Sequence, residues 1–122
     1  MQFYYPQKLL DLLTETIPLL NRSKKSVVYF FIQFGVPEEL ILDIVPDLIN
    51  IKIDMSKRKI AGKILERLNE DQEAYDKERR QLLKGVIQFN SFSNCWESDR
   101  FKAKELIKKI IHLVDLSDLY RT

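Results

Sequence analysis

The sequence has few of the residues that build catalytic and metal centres. Its 122 residues include one cysteine, one histidine and three glycines. One cysteine excludes an internal disulfide and a cysteine zinc cluster, and one histidine excludes a paired-histidine zinc motif. Three scattered glycines exclude a glycine-rich phosphate loop. We therefore predict no cofactor, no metal and no catalytic residue, so that a non-enzymatic protein is expected.

Long apolar runs are also missing. No stretch approaches the roughly 20 apolar residues that a membrane-spanning helix needs. The first residues, MQFYYP, lack the basic and apolar parts of a signal peptide. The sequence therefore predicts no membrane partner and a cytoplasmic location.

The overall composition is that of a folded domain. Hydrophobic residues make up 45% and charged residues 31% of the chain, and the net charge is +2. This length suits one core, so we expect a single domain over residues 1–122. The net charge is too small to indicate a nucleic-acid-binding protein by itself.

Apolar residues recur at three- and four-residue intervals along most of the chain, which indicates helices. The expected fold is all-α, with about six helices in an orthogonal or bundle-like arrangement, and a death-fold-like form is one candidate. Residues 47–54 are predicted as either a helical turn or a loop. Predicted N-caps are Ser23, Ser56 and either Ser98 or Asp99. The helices are expected near residues 7–20, 24–34, 37–45, 57–70, 72–89 and 99–114.

Charged residues segregate between the predicted helices. Four-residue spacing places each basic group along one helical face. Three interpretations remain open: solvated helix faces, contact with protein, or contact with nucleic acid. Head-to-tail self-association is one form of protein contact, because unlike surfaces would meet. The acidic edge comprises Glu38, Glu39, Asp43 and Asp47, and the two basic ridges comprise Lys57, Arg58, Lys59, Lys63 and Arg67, and Arg100, Lys104 and Lys108.

Other polar residues have simpler interpretations. Acids and bases alternate over residues 71–80, including Arg79, which predicts a solvated helix face with ion pairs. Cys95 is expected to be a small core residue. A cryptic catalytic pair of Cys95 and His112 is a third, weaker alternative that proximity of the two side chains would support.

Two phenylalanines flank the sole tryptophan. Phe92, Trp96 and Phe101 are spaced so that they can fold back over the core and fix the entry of the last helix. We call these three residues the aromatic clasp, and Phe101 is expected to pack inward. If the Trp96 ring is buried, Trp96→Ala should cost roughly 3–5 kcal/mol.

The tract around Trp96 also resembles a segment of known bacterial proteins. Residues 89–104, FNSFSNCWESDRFKAK, resemble a segment of the form EFxxFSxCWxxDRxKAK in uncharacterised bacterial proteins, although Gln88 replaces the acid. Supporting similarities are LLDLL at 9–13 and ILERLNE at 64–70. Such segments belong to an N-terminal helical region joined to variable effectors, including restriction-endonuclease-like ones, in anti-phage defence proteins. The resemblance implies an adaptor or sensor domain, and a nucleic-acid-binding module is the alternative.

Overall fold

The computed structural model describes residues 3–51, 54–71 and 73–121, and in these ranges the chain is all-helical. The predicted fold class is therefore confirmed. Seven α-helices and one 3-10 turn, Phe92–Asn94, are present in the described ranges. The helices are α1 (Gln7–Leu19), α2 (Lys24–Gln33), α3 (Glu38–Ile44), α4 (Lys57–Glu70), α5 (Asp76–Ile87), α6 (Glu97–Leu113) and α7 (Leu116–Leu119).

Two of the predicted caps are confirmed. The Ser23 hydroxyl accepts the Ser26 N–H at 3.1 Å, and the Ser26 hydroxyl accepts the Ser23 N–H at 3.0 Å, which is a capping box. The Ser56 hydroxyl accepts the Lys59 N–H at 3.0 Å at the start of α4. The prediction of Ser98 or Asp99 is wrong: α6 begins at Glu97 after Trp96, which makes no side-chain capping bond.

The fifth helix begins later than the sequence indicates. It was expected from about residue 72, which lies outside the described residues, whereas α5 starts at Asp76. Tyr75 precedes it in the left-handed region, with φ of 67°, and Ala74 N–H bonds to the Asp71 carbonyl, so the chain turns there. The single-turn helix α7 was not predicted. Over the described part of residues 47–54 the chain is a loop.

The first helix lies at the centre of the packing. Helix α1 packs most extensively against α6 and α4, and α4 also packs against α2 and α3. The buried face of α1 carries Leu9, Leu13 and Ile17, which belong to a single core cluster supplied by all seven described helices. Because α1 has neighbours on two sides, the elements meet around it in one core.

A buried arginine ties the start of the chain to this core. The Arg79 side chain is fully buried and donates to the carbonyls of Leu68 at 2.7 Å, Asp71 at 3.1 Å, and Phe3. The Tyr5 hydroxyl in turn donates to the Arg79 carbonyl at 2.7 Å. The expectation that Arg79 belongs to a solvated face is therefore wrong. Arg79 lies three and four residues before Leu82 and Leu83, so it continues the buried stripe of α5.

The same end of the molecule contains two further polar links. Asn69 pairs reciprocally with the Tyr5 backbone: its amide oxygen accepts Tyr5 N–H at 2.8 Å, and its amide nitrogen donates to the Tyr5 carbonyl at 2.9 Å. The Phe3 N–H donates to the carboxylate of Asp76, which also pairs with Arg80 at 3.1 Å. The backbone of Phe3 and Tyr5 is therefore held by side chains from α4 and α5.

Candidate interaction site

The acidic edge and the first basic ridge face each other across the α3–α4 packing. Arg67 pairs with Asp43 at 3.2 Å and with Glu70 at 3.7 Å. Lys59 and Lys63 line the same cleft, of about 350 Å³, as Asp43 and other acids. These surfaces, which the sequence suggested were separate, therefore form one face of mixed charge. A phosphate backbone docking there would meet carboxylates as well as lysines.

Two residues of those surfaces have structural roles. The Asp47 carboxylate accepts the backbone N–H groups of Ile49 at 2.9 Å and Asn50 at 3.1 Å. The hydrogen bonds from Asn50 and Ile49 hold the pKa of the Asp47 carboxyl below its usual value. Lys57 donates from Nζ to the Asn21 carbonyl at 2.8 Å. Asp47 therefore closes a turn and Lys57 links two segments. Apart from the paired Arg67 and Asp43, the exposed members that remain are Glu38, Glu39, Arg58, Lys59 and Lys63.

The second basic ridge lies along α6, but its first member is drawn inward. Arg100 is half-buried, and its Nε is buried without a hydrogen-bond partner among the described residues. Lys104 and Lys108 are exposed. The Lys104 ammonium lies 5.0 Å from the centre of the Phe92 ring, and Lys108 pairs with Glu105 at 3.2 Å. The exposed part of this ridge is therefore Lys104 and Lys108.

The aromatic clasp does not close over the core. Phe92 is half-buried against it, but Trp96 is 51% exposed and Phe101 is 77% exposed. The predictions that the Trp96 ring covers the core and that Phe101 packs inward are therefore wrong.

Helical register explains the outward position of Phe101. The buried stripe of α6 is Ala103, Leu106, Ile107 and Ile110. Three and four residues before Ala103 stand Arg100 and Asp99, so the stripe passes through those positions and leaves Phe101 outside. The register of the four buried positions could have predicted this orientation from the sequence.

The geometry excludes a catalytic pair of Cys95 and His112. Cys95 is fully buried just before α6, and its thiol lies 3.1 Å from the Phe92 carbonyl oxygen. His112 is exposed in the last turn of the same helix. The 17 residues of α6 span about 25 Å. Cys95 and His112 therefore cannot act on one reacting group.

A groove between α2 and the end of α5 is a site that the sequence did not indicate. Its volume is about 750 Å³, within the roughly 300–1,000 Å³ of ligand clefts. Two segments more than fifty residues apart supply its walls, so no local motif could reveal it. Its lining includes Arg22, Lys25, Tyr29, Phe30, Gln33, Phe34, Phe89, Asn90 and Asn94.

Aromatic rings form the floor of this groove. The Phe30 ring meets Phe34 edge-on at 4.9 Å between centroids and Phe89 at 6.2 Å, and Phe89 meets Phe92 at 5.0 Å. The Phe34 ring lies where a Cβ at Gly85 would be, 2.4 Å from that position, so a glycine is needed for this close approach. These contacts fix the floor as a packed row of rings.

Arg22 holds the rim of the groove to the start of α6. Its guanidinium donates to the carbonyls of Ser93 at 3.1 Å and Cys95 at 3.3 Å. It also lies 4.8 Å from the centre of the Trp96 ring. This stacking gives Trp96 a partner even though half of its surface is exposed.

No family model, curated protein or solved structure matches the chain. Among the described residues, no group of three or more histidine, cysteine, aspartate or glutamate side chains is arranged to hold a metal ion. No helix in the described ranges is both long and apolar enough to cross a membrane. The fold and its surfaces are therefore the basis for a functional proposal.

Proposed function

We propose that this chain is a non-enzymatic helical interaction domain that binds a protein partner through the outer face of α6. The observation that carries the proposal is the 77% exposure of Phe101. Aromatic residues are enriched where protein surfaces meet, and burying one ring removes roughly 150–250 Å² from water. A partner that covers Phe101 would remove this apolar surface from water and gain the corresponding binding energy.

The residues around Phe101 indicate the character of that partner. Lys104 and Lys108 follow Phe101 by three and seven residues, so all three lie on one helical face, and all are exposed. An apolar anchor beside two cations suits a partner surface with an apolar pocket and an acidic rim.

The resemblance of residues 89–104 refines this proposal. The segment that resembles anti-phage defence proteins contains two exposed aromatics, Trp96 and Phe101. An adaptor or sensor role in such a system, in the cytoplasm, is consistent with a domain that presents them for contact. Self-association would be another form of protein contact, and light scattering with purified protein distinguishes it from binding a different protein.

Affinity capture from a lysate of the source organism tests the proposal. The bait is the full chain, and the test variant is Phe101→Ser. Ile49→Ser is the matched control, because Ile49 is an 82% exposed apolar residue in the loop after α3. We expect Phe101→Ser to lose a protein that the native chain and Ile49→Ser both retain. The captured protein is then purified and its affinity measured against the three baits.

Two outcomes would contradict this function. Equal retention of the purified partner by all three baits would show that α6 is not the contact surface. Loss of capture after nuclease treatment of the lysate would instead support the nucleic-acid-binding alternative.

A further inference from the structure

The groove between α2 and α5 differs in charge from the rest of the molecule. The sequence contains 20 basic and 18 acidic residues. Among the described residues that line the groove, the charged ones are Arg22 and Lys25, and none is acidic. Both cations lie at the N-terminal end of α2. The groove therefore favours a ligand that carries negative charge at one end.

The uncharged part of the lining suits a polypeptide main chain. The side-chain amides of Gln33, Asn90 and Asn94 belong to exposed residues. An amide side chain offers both a donor and an acceptor, which are the groups that an extended peptide presents along its length. These amide side chains can therefore satisfy the hydrogen-bonding groups of a peptide main chain without further charged residues.

The floor of the groove provides apolar contact. The rings of Phe30, Phe34 and Phe89 pack in a row there, and Tyr29 is half-exposed at the edge. An apolar side chain of the ligand would lie on these rings while its acidic residues remain near the N-terminal end of α2. A peptide with acidic residues at one end and apolar residues along the rest has this form.

We propose that the groove between α2 and α5 binds an extended acidic peptide segment of a partner protein, with its carboxylates at Arg22 and Lys25. Single-stranded nucleic acid also stacks on aromatic rings, but it needs positive charge that follows the backbone along the whole groove. Here both charges are at one end. This site is separate from the outer face of α6.

The sole tryptophan provides a label-free measurement. Because the Arg22 guanidinium stacks on the Trp96 ring, a carboxylate that binds Arg22 changes the surroundings of the indole. The probes are two tryptophan-free synthetic peptides of about five residues, because the ten residues of α2 span about 15 Å and an extended chain rises roughly 3.3 Å per residue. In one, glutamates at one end precede leucines, and in the other each glutamate is replaced by glutamine. The full chain is titrated with each peptide while Trp96 emission is recorded.

We expect the glutamate peptide to bind about tenfold more tightly than the glutamine peptide, and to weaken as salt is added. Lys25→Glu should reduce affinity for the glutamate peptide by roughly tenfold. Lys8→Glu, an exposed lysine on α1, makes the same change in net charge away from the groove and should bind as the native chain does. Phe101→Ser should also retain peptide binding, so the groove and the outer face of α6 are tested independently of each other.

Three results would overturn this assignment. Equal affinity for the glutamate and glutamine peptides would exclude acidic recognition. Equal losses in Lys25→Glu and Lys8→Glu would place the binding elsewhere. Tighter, Lys25-dependent binding of a single-stranded oligonucleotide than of the glutamate peptide would exclude a peptide as the natural ligand.

Discussion

At the scale of single residues, two arginines show how helical register overrides composition. Arg79 and Arg100 both lie among alternating charges, where the sequence predicts solvent exposure. Each also stands three or four residues before a buried apolar position, Leu82 and Ala103 respectively. The structure buries Arg79 and half-buries Arg100. Apolar periodicity, extended by one turn towards the helix N-terminus, was the better guide.

The burial of Arg79 has a measurable consequence for stability. Arg79→Met keeps much of the side-chain length but removes the donors to the carbonyls of Phe3, Leu68 and Asp71. Leaving buried acceptors unpaired should lower the free energy of unfolding by roughly 3–5 kcal/mol. Urea denaturation of Arg79→Met and of Lys77→Met, at an exposed position on α5, measures the difference. Equal midpoints would show that these hydrogen bonds add nothing.

The exposure of Trp96 revises the cost of removing it. With half of the ring in solvent, Trp96→Ala loses mainly its stacking with Arg22, so the free energy of unfolding should fall by about 1 kcal/mol or less. Leu65→Ala, at a fully buried position, should cost roughly 2–5 kcal/mol in the same assay. A loss at Trp96 as large as that at Leu65 would mean that the indole is buried in solution.

At the scale of elements, the helices with both a cap and an apolar stripe were predictable. The Ser23 and Ser56 caps and the spacing of Ile60, Ile64 and Leu68 fix α2 and α4 locally. The start of α5 was not predictable, because Tyr75 adopts a left-handed conformation that its type disfavours. The contacts that hold Tyr75 there come from the packed molecule.

Two glycines in different elements should respond to alanine in opposite directions. Gly35 follows α2 with φ of +94°, and a Cβ there would lie 2.6 Å from the Gln81 Oε1 atom. Gly35→Ala should therefore destabilise the fold by about 1–2 kcal/mol. Gly62 is within α4, where a Cβ would lie 3.4 Å from a Thr14 methyl group. Gly62→Ala should stabilise by about 0.5–1 kcal/mol. Thermal unfolding of both variants measures the change in stability. If both variants were stabilised, or both destabilised, the expectation would be contradicted.

At the scale of the whole molecule, the sequence predicted the all-α class but not how the surfaces combine. The basic ridge on α4 and the acidic edge on α3 were each visible as spacing. Their pairing through Arg67 and Asp43 depends on how α3 packs against α4, which spacing does not encode. The groove between α2 and α5 depends in the same way on tertiary packing. Local patterns therefore indicated the parts of the candidate sites, and packing decided which parts meet.

The hydrogen bond from the Phe3 N–H to the Asp76 carboxylate should make the free energy of unfolding depend on pH. Burial alone would raise the pKa of the Asp76 carboxyl, but hydrogen bonds from Phe3 N–H and Arg80 outweigh it and lower the pKa below 3.8. A carboxyl whose pKa is lower in the folded chain stabilises it fully above about pH 4, and this contribution is lost as pH falls through the folded-state pKa.

Asp76→Asn should therefore flatten the acid part of the stability profile. Urea midpoints from neutral pH down to about pH 2 would fall less steeply for Asp76→Asn than for the native chain. Asp54→Asn removes an exposed carboxylate and serves as the control. If the native chain and Asp76→Asn lose stability in parallel as pH falls, the charge of Asp76 does not contribute to holding Phe3 in place.

The central position of α1 bears on how the protein is made. One of its two main partners is α6, so the helix that ends at Leu19 packs against one that begins only at Glu97. At ordinary translation rates, on the order of ten seconds separate the synthesis of these two helices. During that interval α1 lacks its packing against α6. The nascent chain therefore completes its core only after α6 has left the ribosome, and until then the face of α1 that α6 covers stays open to solvent.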